Sequence, residues 1–259
     1  MVGTSVPAMT TYSRTQEFKG ATFREVDLSG ARVVESNLSG VVIRGSEVAG
    51  MEIDAPWLIY GDPLTVNGVD IVPLVEAELD RRFPGRELRK AEDPEGLQEA
   101  YAAVERTWEA TLERVAAMPA GTVDASVDGE WSFAQTLRHL VMATDLWLGQ
   151  AVLGKEKTFH PVGLVYEGAA DEGFDMSVLS NTSPTYDEVL EARADRMAMV
   201  RDFLASVTPE ELDTPRTNPW NPQAPETTRT CLHTVLEEEW EHHRFAVRDL
   251  DRLEAAEDH

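Results

Sequence analysis

A long amphipathic helix is predicted by residues 236–250, which read L-E-E-E-W-E-H-H-R-F-A-V-R-D-L. Positions spaced alternately by four and three residues along this helix form one stripe, which is apolar except at two places. The stripe consists of Leu232, Leu236, Glu239, His243, Ala246, Leu250 and Leu253. Glu239 and His243 are four residues apart and therefore share one face of the helix. We expect this carboxylate and this imidazole to point into the core together.

A second carboxylate and imidazole lie on the same predicted helix. Glu238 and His242 are also four residues apart, but their stripe is more mixed in polarity. The register places Glu237 and Glu241 largely on the outer, solvated face. The more apolar stripe is the better candidate for the inward face of the helix.

Three further helices are predicted upstream, each from an apolar stripe that follows a capping residue. They begin after Asp93, Ser132 and Thr185, and the last two have Gln or Glu three residues later, as in a capping box. Four amphipathic helices favour an up-down antiparallel bundle, which we place at residues 93–256. Residues 154–184 connect the second and third helices, and a loop of this length often covers a functional site.

His139 is the inward polar residue of the second predicted helix, in the segment L-R-H-L-V-M-A. A lone histidine in such a segment is more often a core residue than a metal ligand. Together with Glu239 and His243, it would form a set of three ligands, two imidazoles and one carboxylate, from two helices. Such a set leaves coordination positions open and suits zinc, nickel or ferrous iron. A buried Glu239 requires such an ion or an arginine, because an unpaired buried charge is costly.

Two segments together resemble the DinB-like, or YfiT-like, superfamily of metal-dependent helical bundles. They are W-S-F-A-Q-T-L-R-H-L-V-M-A-T-D-L-W-L at 131–148 and E-E-E-W-E-H-H-R-F-A-V-R-D-L at 237–250. Many members bind their metal with three histidines, and the branch with the mycothiol-dependent maleylpyruvate isomerases has Glu in place of one. The resemblance to that branch implies His139, Glu239 and His243 as ligands. The branch also has a tryptophan between its Glu and His, and this feature would select Glu238 and His242 instead.

The resemblance implies a metal-dependent enzyme that activates water or a low-molecular-weight thiol such as mycothiol. The reaction would be transfer, isomerisation or hydrolysis of a small electrophile, with zinc as the expected metal and nickel or iron as alternatives. Trp131, His160, Trp240 and His242 are candidates for the pocket or for groups that neighbour the ligands. The alternative function is a non-catalytic protein that binds a metal, a ligand or a protein partner.

A five-residue repeat occupies residues 14–56. Large apolar residues recur at Phe18, Phe23, Leu28, Val33, Leu38, Ile43, Val48 and Ile53, and mostly small residues lie two positions before them. A period of five fits neither a helix nor a flat strand. The segment resembles the pentapeptide-repeat family, which implies a short right-handed β-helix of about two coils with both sets of residues inside. Such a short stack needs a neighbour for stability, so we expect a packing or dimerising module.

The expected fold class is therefore α+β. It comprises the pentapeptide-repeat β-helix at 14–56, a connecting hairpin and helix at 57–92, and the four-helix bundle at 93–256.

Composition limits the classes of partner. Asp and Glu number 47 against 23 Lys and Arg, and the net charge of -24 disfavours nucleic acid and anionic membranes. Cys231 is the single cysteine, so no intrachain disulfide can form. No secretory leader and no apolar run of ~18 residues is present, so we expect a cytoplasmic protein. Its expected partner is a small-molecule substrate. The repeat could join two chains into a homodimer.

Overall fold

The computed structural model describes residues 10–56 and 58–257, and Trp57, at the predicted boundary of the repeat, lies outside them. The chain divides into two compact units, Met1–Ile53 and Asp54–His259. In the described part of the chain, no helix is long and apolar enough to cross a bilayer.

The second unit is mainly helical. Its described residues form the α-helices α1 (Val72–Arg82), α2 (Pro94–Ala116), α3 (Phe133–Thr144), α4 (Tyr186–Leu204), α5 (Pro209–Leu212) and α6 (Thr228–Glu257). Two small antiparallel sheets pair β1 (Thr65–Val66) with β2 (Val69–Asp70) and β3 (Pro215–Arg216) with β4 (Glu226–Thr227). Asn67 and Gly68 form the turn between β1 and β2 with φ of 50° and 80°, as expected for an Asn-Gly hairpin.

Each predicted capping residue lies at the start of the helix that the sequence predicted for it. The Asp93 side chain accepts a hydrogen bond from the backbone N–H of Gly96 at the start of α2. Ser132 and Thr185 form complete capping boxes at the starts of α3 and α4. These side chains satisfy N–H groups that a helix cannot pair internally, so local sequence fixes where the helices begin.

Four helices enclose the core of this unit. Helix α2 packs against α4 and α6, and α3 packs against the same two helices. Their interior is apolar and includes the fully buried Leu97, Val104, Leu137, Leu140, Leu148 and Leu250. The stripe predicted on α6 faces this interior, since Leu232, Leu236, Glu239, His243, Ala246 and Leu250 are all buried. The inward direction predicted for Glu239 and His243 is therefore confirmed.

Helix α3 continues into a π-helix at Asp145–Val152. Asp145 is buried at the junction, where its carboxylate pairs with Arg196 of α4 and accepts a hydrogen bond from the His160 backbone N–H at 2.7 Å. The Thr158 hydroxyl donates to the Asp145 carbonyl at 3.0 Å. These contacts hold the start of the long loop after the π-helix against α3 and α4.

A side chain at Gly149 is expected to disrupt this junction. A Cβ atom at Gly149 would lie 2.0 Å from the Thr158 hydroxyl, so Gly149→Ala must displace the threonine from its bond to Asp145. We expect the free energy of unfolding in urea to fall by about 1–3 kcal/mol. Gly61→Ala is the matched control because nothing lies within 4 Å of a Cβ there. Equal stabilities of the two variants would contradict this account of the junction.

The first unit, described for residues 10–53, contains no helix or strand in that range. Its backbone nevertheless follows a five-residue period, because φ is positive at Gly20, Glu25, Gly30, Glu35, Gly40, Gly45 and Gly50. The eight apolar residues of the predicted repeat are all exposed, from 41% at Phe18 to 62% at Val33. The buried interior expected of a right-handed β-helix at 14–56 is therefore not observed. A segment of about two coils offers these side chains too few neighbours to cover them. Its membership of the pentapeptide-repeat family stays a prediction.

Candidate metal centre

His139 on α3 meets Glu238 and His242 on α6. The Glu238 Oε2 atom lies 3.2 Å from His139 Nε2 and 3.1 Å from His242 Nε2. One donor atom from each residue can be chosen so that all three lie within 4.8 Å of one another. Ligands that share a zinc ion lie about 2 Å from it, so only small movements separate this cluster from a coordination geometry. Within the described residues, it is the only such group of three or more His, Cys, Asp or Glu side chains.

The long loop after the π-helix orients His139. The Nδ1 atom of His139 lies 3.2 Å from the carbonyl oxygen of Leu164, and the Leu164 N–H donates to the Arg138 carbonyl at the same distance. A carbonyl oxygen can only accept, so this contact requires the proton on Nδ1. The Nε2 atom then faces Glu238, and a backbone carbonyl on the other ring nitrogen is the usual support of a histidine ligand.

The electrostatics of the cluster favour an ionised carboxylate. Burial raises the pKa of Glu238, but hydrogen bonds from His139 and His242 outweigh it and hold this pKa below its usual value. Burial and the neighbouring His139 lower the pKa of His242, although Glu238 opposes the shift. A charged Glu238 beside a neutral His242 is the protonation state that a metal requires of these ligands.

Aromatic rings enclose the two histidines. The Trp131 ring lies 4.8 Å from the His139 ring and 6.0 Å, stacked, from the His242 ring, measured between centroids. Phe245 contacts the other side of His242 with centroids 5.8 Å apart. Trp131 and His242, predicted to lie in or beside the site, are therefore both part of it.

Glu239 has an arginine as its partner. Arg193 of α4 forms a buried ion pair with Glu239, and the Trp108 indole N–H of α2 donates to the same carboxylate at 2.8 Å. His243 Nε2 lies 2.8 Å from the Thr111 hydroxyl of α2. The structure thus brings His139 together with Glu238 and His242, and it places Glu239 and His243 in a separate buried network. Of the two partners considered for a buried Glu239, the structure provides the arginine.

The helical register could not separate the two pairs because α6 is covered on several sides. Adjacent stripes of a helix differ by about 100° of rotation, and both can be buried when several elements pack on them. Glu237 shows the same effect: it was expected on the solvated face, but it is buried, with the Tyr60 hydroxyl donating to it and Arg89 at 3.8 Å. The tryptophan between Glu238 and His242 was the sequence feature that pointed to the pair that lies beside His139.

Two other predicted residues lie away from the cluster. The His160 backbone bonds to Asp145 beside the π-helix, and its Nδ1 accepts a hydrogen bond from Val162. Trp240 is buried in the core against His243. Neither contributes to the cluster of three.

A cavity of about 340 Å³ lies on the side of α3 that faces α4. Its lining includes Ser132, Gln135 and Arg138 of α3 and Tyr186 and Val189 of α4. None of the three clustered residues lines it, so this cavity is separate from the candidate metal centre.

The stability of the protein is expected to depend on pH through His243. Burial lowers the pKa of His243 to about 4, whereas the unfolded value is about 6.5. The unfolded chain therefore binds this proton first, and stability falls as the pH drops from about 6.5 towards 4. Between pH 7.5 and 4.5, we expect the metal-free protein to lose about 2–3 kcal/mol more than His243→Phe, measured by urea unfolding. Equal losses in the two proteins would show that His243 does not titrate in this way.

Comparison with known proteins gives a family match. A family model described as the DinB superfamily matches residues 103–246, which are more than half of the chain and include His139, Glu238 and His242. No curated protein and no solved structure gives a significant match.

Proposed function

Since this chain belongs to the DinB superfamily, we propose that it is a metal-dependent enzyme whose metal is bound by His139, Glu238 and His242. Members of this superfamily generally bind metal. The proposal rests on one observation. Two imidazoles and one carboxylate from two helices have ligand atoms within 4.8 Å of one another. Zinc is the proposed metal because this donor set suits it, and nickel or iron would bind in the same way.

The residues present fit a divalent ion. Glu238 is largely buried between the Nε2 atoms of His139 and His242. Histidine ligands bind a metal in their neutral form, and between two neutral rings a buried carboxylate would need the charge of the metal as compensation. A divalent ion would supply that compensation, and the Nε2 atoms of His139 and His242 would hold it together with Glu238. His139 is already held in the required tautomer by the Leu164 carbonyl, so little rearrangement is needed.

The proposed chemistry is activation of water or of a low-molecular-weight thiol of the mycothiol type. A divalent ion with open coordination positions acts as a Lewis acid and lowers the pKa of a water or thiol ligand towards neutrality. The chain would contribute the three ligands, the carbonyl of Leu164 that fixes His139, and the rings of Trp131 and Phe245 that pack against the histidine rings. A small electrophile would then undergo transfer, isomerisation or hydrolysis.

Turnover before and after metal removal tests this function. We propose to incubate the purified protein with mycothiol and a panel of small electrophiles and to follow both the loss of free thiol, which reports transfer, and the conversion of each electrophile, which also reports isomerisation. Parallel reactions without thiol would detect hydrolysis. We expect turnover to fall at least ~100-fold after chelation and to return when zinc is restored. Turnover that survives complete removal of the metal would refute the metal-dependent mechanism, and a zinc-loaded protein inert to the whole panel would indicate binding without catalysis.

A further inference from the structure

The first unit exposes an unusual number of large apolar side chains. Between residues 10 and 53, fourteen described residues of this kind are each 41–67% exposed. We call them the apolar row: Tyr12, Phe18, Phe23, Val26, Leu28, Val33, Val34, Leu38, Val41, Val42, Ile43, Val48, Met51 and Ile53.

The aromatic members at the start of the apolar row lie next to each other. The rings of Phe18 and Phe23 have centroids 5.9 Å apart, and Tyr12 meets Phe18 edge to face at 4.9 Å. Positive φ recurs at every fifth residue from Gly20 to Gly50, so the backbone repeats the arrangement along the segment. The exposed apolar residues therefore recur regularly along the segment.

The apolar row is large enough for a stable interface. Fourteen side chains that are about half exposed present on the order of 1,000 Å² of accessible surface, whereas the largest apolar patch of a typical monomer is a few hundred Å². A standard protein interface buries about 800 Å² on each partner. The apolar row alone can supply that area.

The charge of the segment favours a second copy of the same chain. Residues 10–53 contain five Lys or Arg and six Asp or Glu, whereas residues 54–259 contain eighteen and forty-one. Two acidic bodies repel each other, but the nearly neutral segment allows two copies to meet there. A two-fold interface uses the same patch on both copies, and a repeat of fixed spacing matches itself when two copies pair. We propose that the apolar row pairs with the apolar row of a second copy and makes the protein a homodimer. This proposal does not depend on the metal centre.

Sedimentation velocity and light scattering on the full chain test the proposal. From about 1 to about 100 µM, we expect a species of twice the 28.7 kDa mass of one chain. Leu28→Glu with Leu38→Glu places two charges in the apolar row of each copy. We expect this variant to weaken the dimer at least ~100-fold and to be monomeric over that range. An unchanged circular dichroism spectrum would confirm that the helical bundle of the variant is intact.

A matched control adds the same charge at exposed polar positions of the segment. Thr22→Glu with Ser39→Glu is expected to remain dimeric. A second measurement uses Val33→Cys in the middle of the apolar row, since Cys231 is buried and leaves one accessible thiol on each copy. Mild oxidation should then yield covalent dimers. A monomeric parent protein, a heterogeneous aggregate, a dimer that persists in the leucine variant, or loss of the dimer in the control would each overturn the proposal.

Discussion

Replacing Glu238 with glutamine is expected to weaken zinc binding by more than ~100-fold, because loss of even an outer partner of a metal ligand costs about 10- to 100-fold. The same replacement at Glu239 should leave zinc affinity nearly unchanged, since Glu239 pairs with Arg193 and Trp108. The two carboxylates are adjacent in sequence, and Glu239 is the more deeply buried of the two. Competition with a chromophoric chelator on zinc-free protein measures both affinities.

The adjacent histidines provide an independent pair of matched variants. His242→Ala removes a candidate ligand, whereas His243→Ala removes a ring that contacts Thr111 and Trp108. We expect the first variant to lose zinc while retaining its fold and the second to retain zinc while losing stability. Circular dichroism confirms that each protein is folded under the titration conditions. A larger loss of zinc affinity at Glu239 or His243 than at Glu238 or His242 would show that Glu239 and His243 bind the metal instead.

Replacing Arg193 with methionine is expected to lower the free energy of unfolding by about 3–5 kcal/mol, because Glu239 would remain buried without its partner. The pair is fully buried between α4 and α6, and the Trp108 indole alone cannot compensate the carboxylate. Burial raises the pKa of Glu239 and Arg193 opposes this, so the variant should raise it further. The folded variant then binds a proton more readily than the unfolded chain, and its deficit should shrink as the pH falls.

A double-mutant cycle separates pairing from packing. Arg193→Met with Glu239→Met replaces both charges by apolar groups, and such a replacement of a buried ion pair is often neutral or stabilising. We expect the double variant to be more stable in urea than either single variant, measured on zinc-free protein. If the two single losses simply add in the double variant, the two side chains do not act as a coupled pair.

Local sequence was sufficient to predict the helices of the second unit. The caps at Asp93, Ser132 and Thr185 and the inward stripe on α6 depend on residues within a few positions of each other. The partner of Glu239 depends instead on Arg193, which is 46 residues away on another helix. Helical periodicity shows which residues share a face, but it does not show which neighbouring element covers that face. The choice between the two pairs on α6 therefore required the tertiary structure.

The first unit shows the opposite outcome. The five-residue period of the sequence appears in the backbone as regular positive φ values, but the predicted burial of its apolar residues is not observed. Burial depends on how many coils or copies stack, and this quantity is not encoded in a single repeat. The connecting hairpin and helix were predicted, but the sequence did not show that Tyr60 and Arg89 of this segment cover Glu237, because they are distant from it in sequence.

The metal ligands can be identified directly by anomalous diffraction from crystals of the zinc-loaded protein. We predict one ion bound by His139 Nε2, the Glu238 carboxylate and His242 Nε2, each at about 2.0–2.2 Å, with the Leu164 carbonyl still bonded to His139 Nδ1. Zinc bound instead by Glu239 and His243, or no anomalous peak at the three predicted residues in a zinc-saturated crystal, would contradict the account.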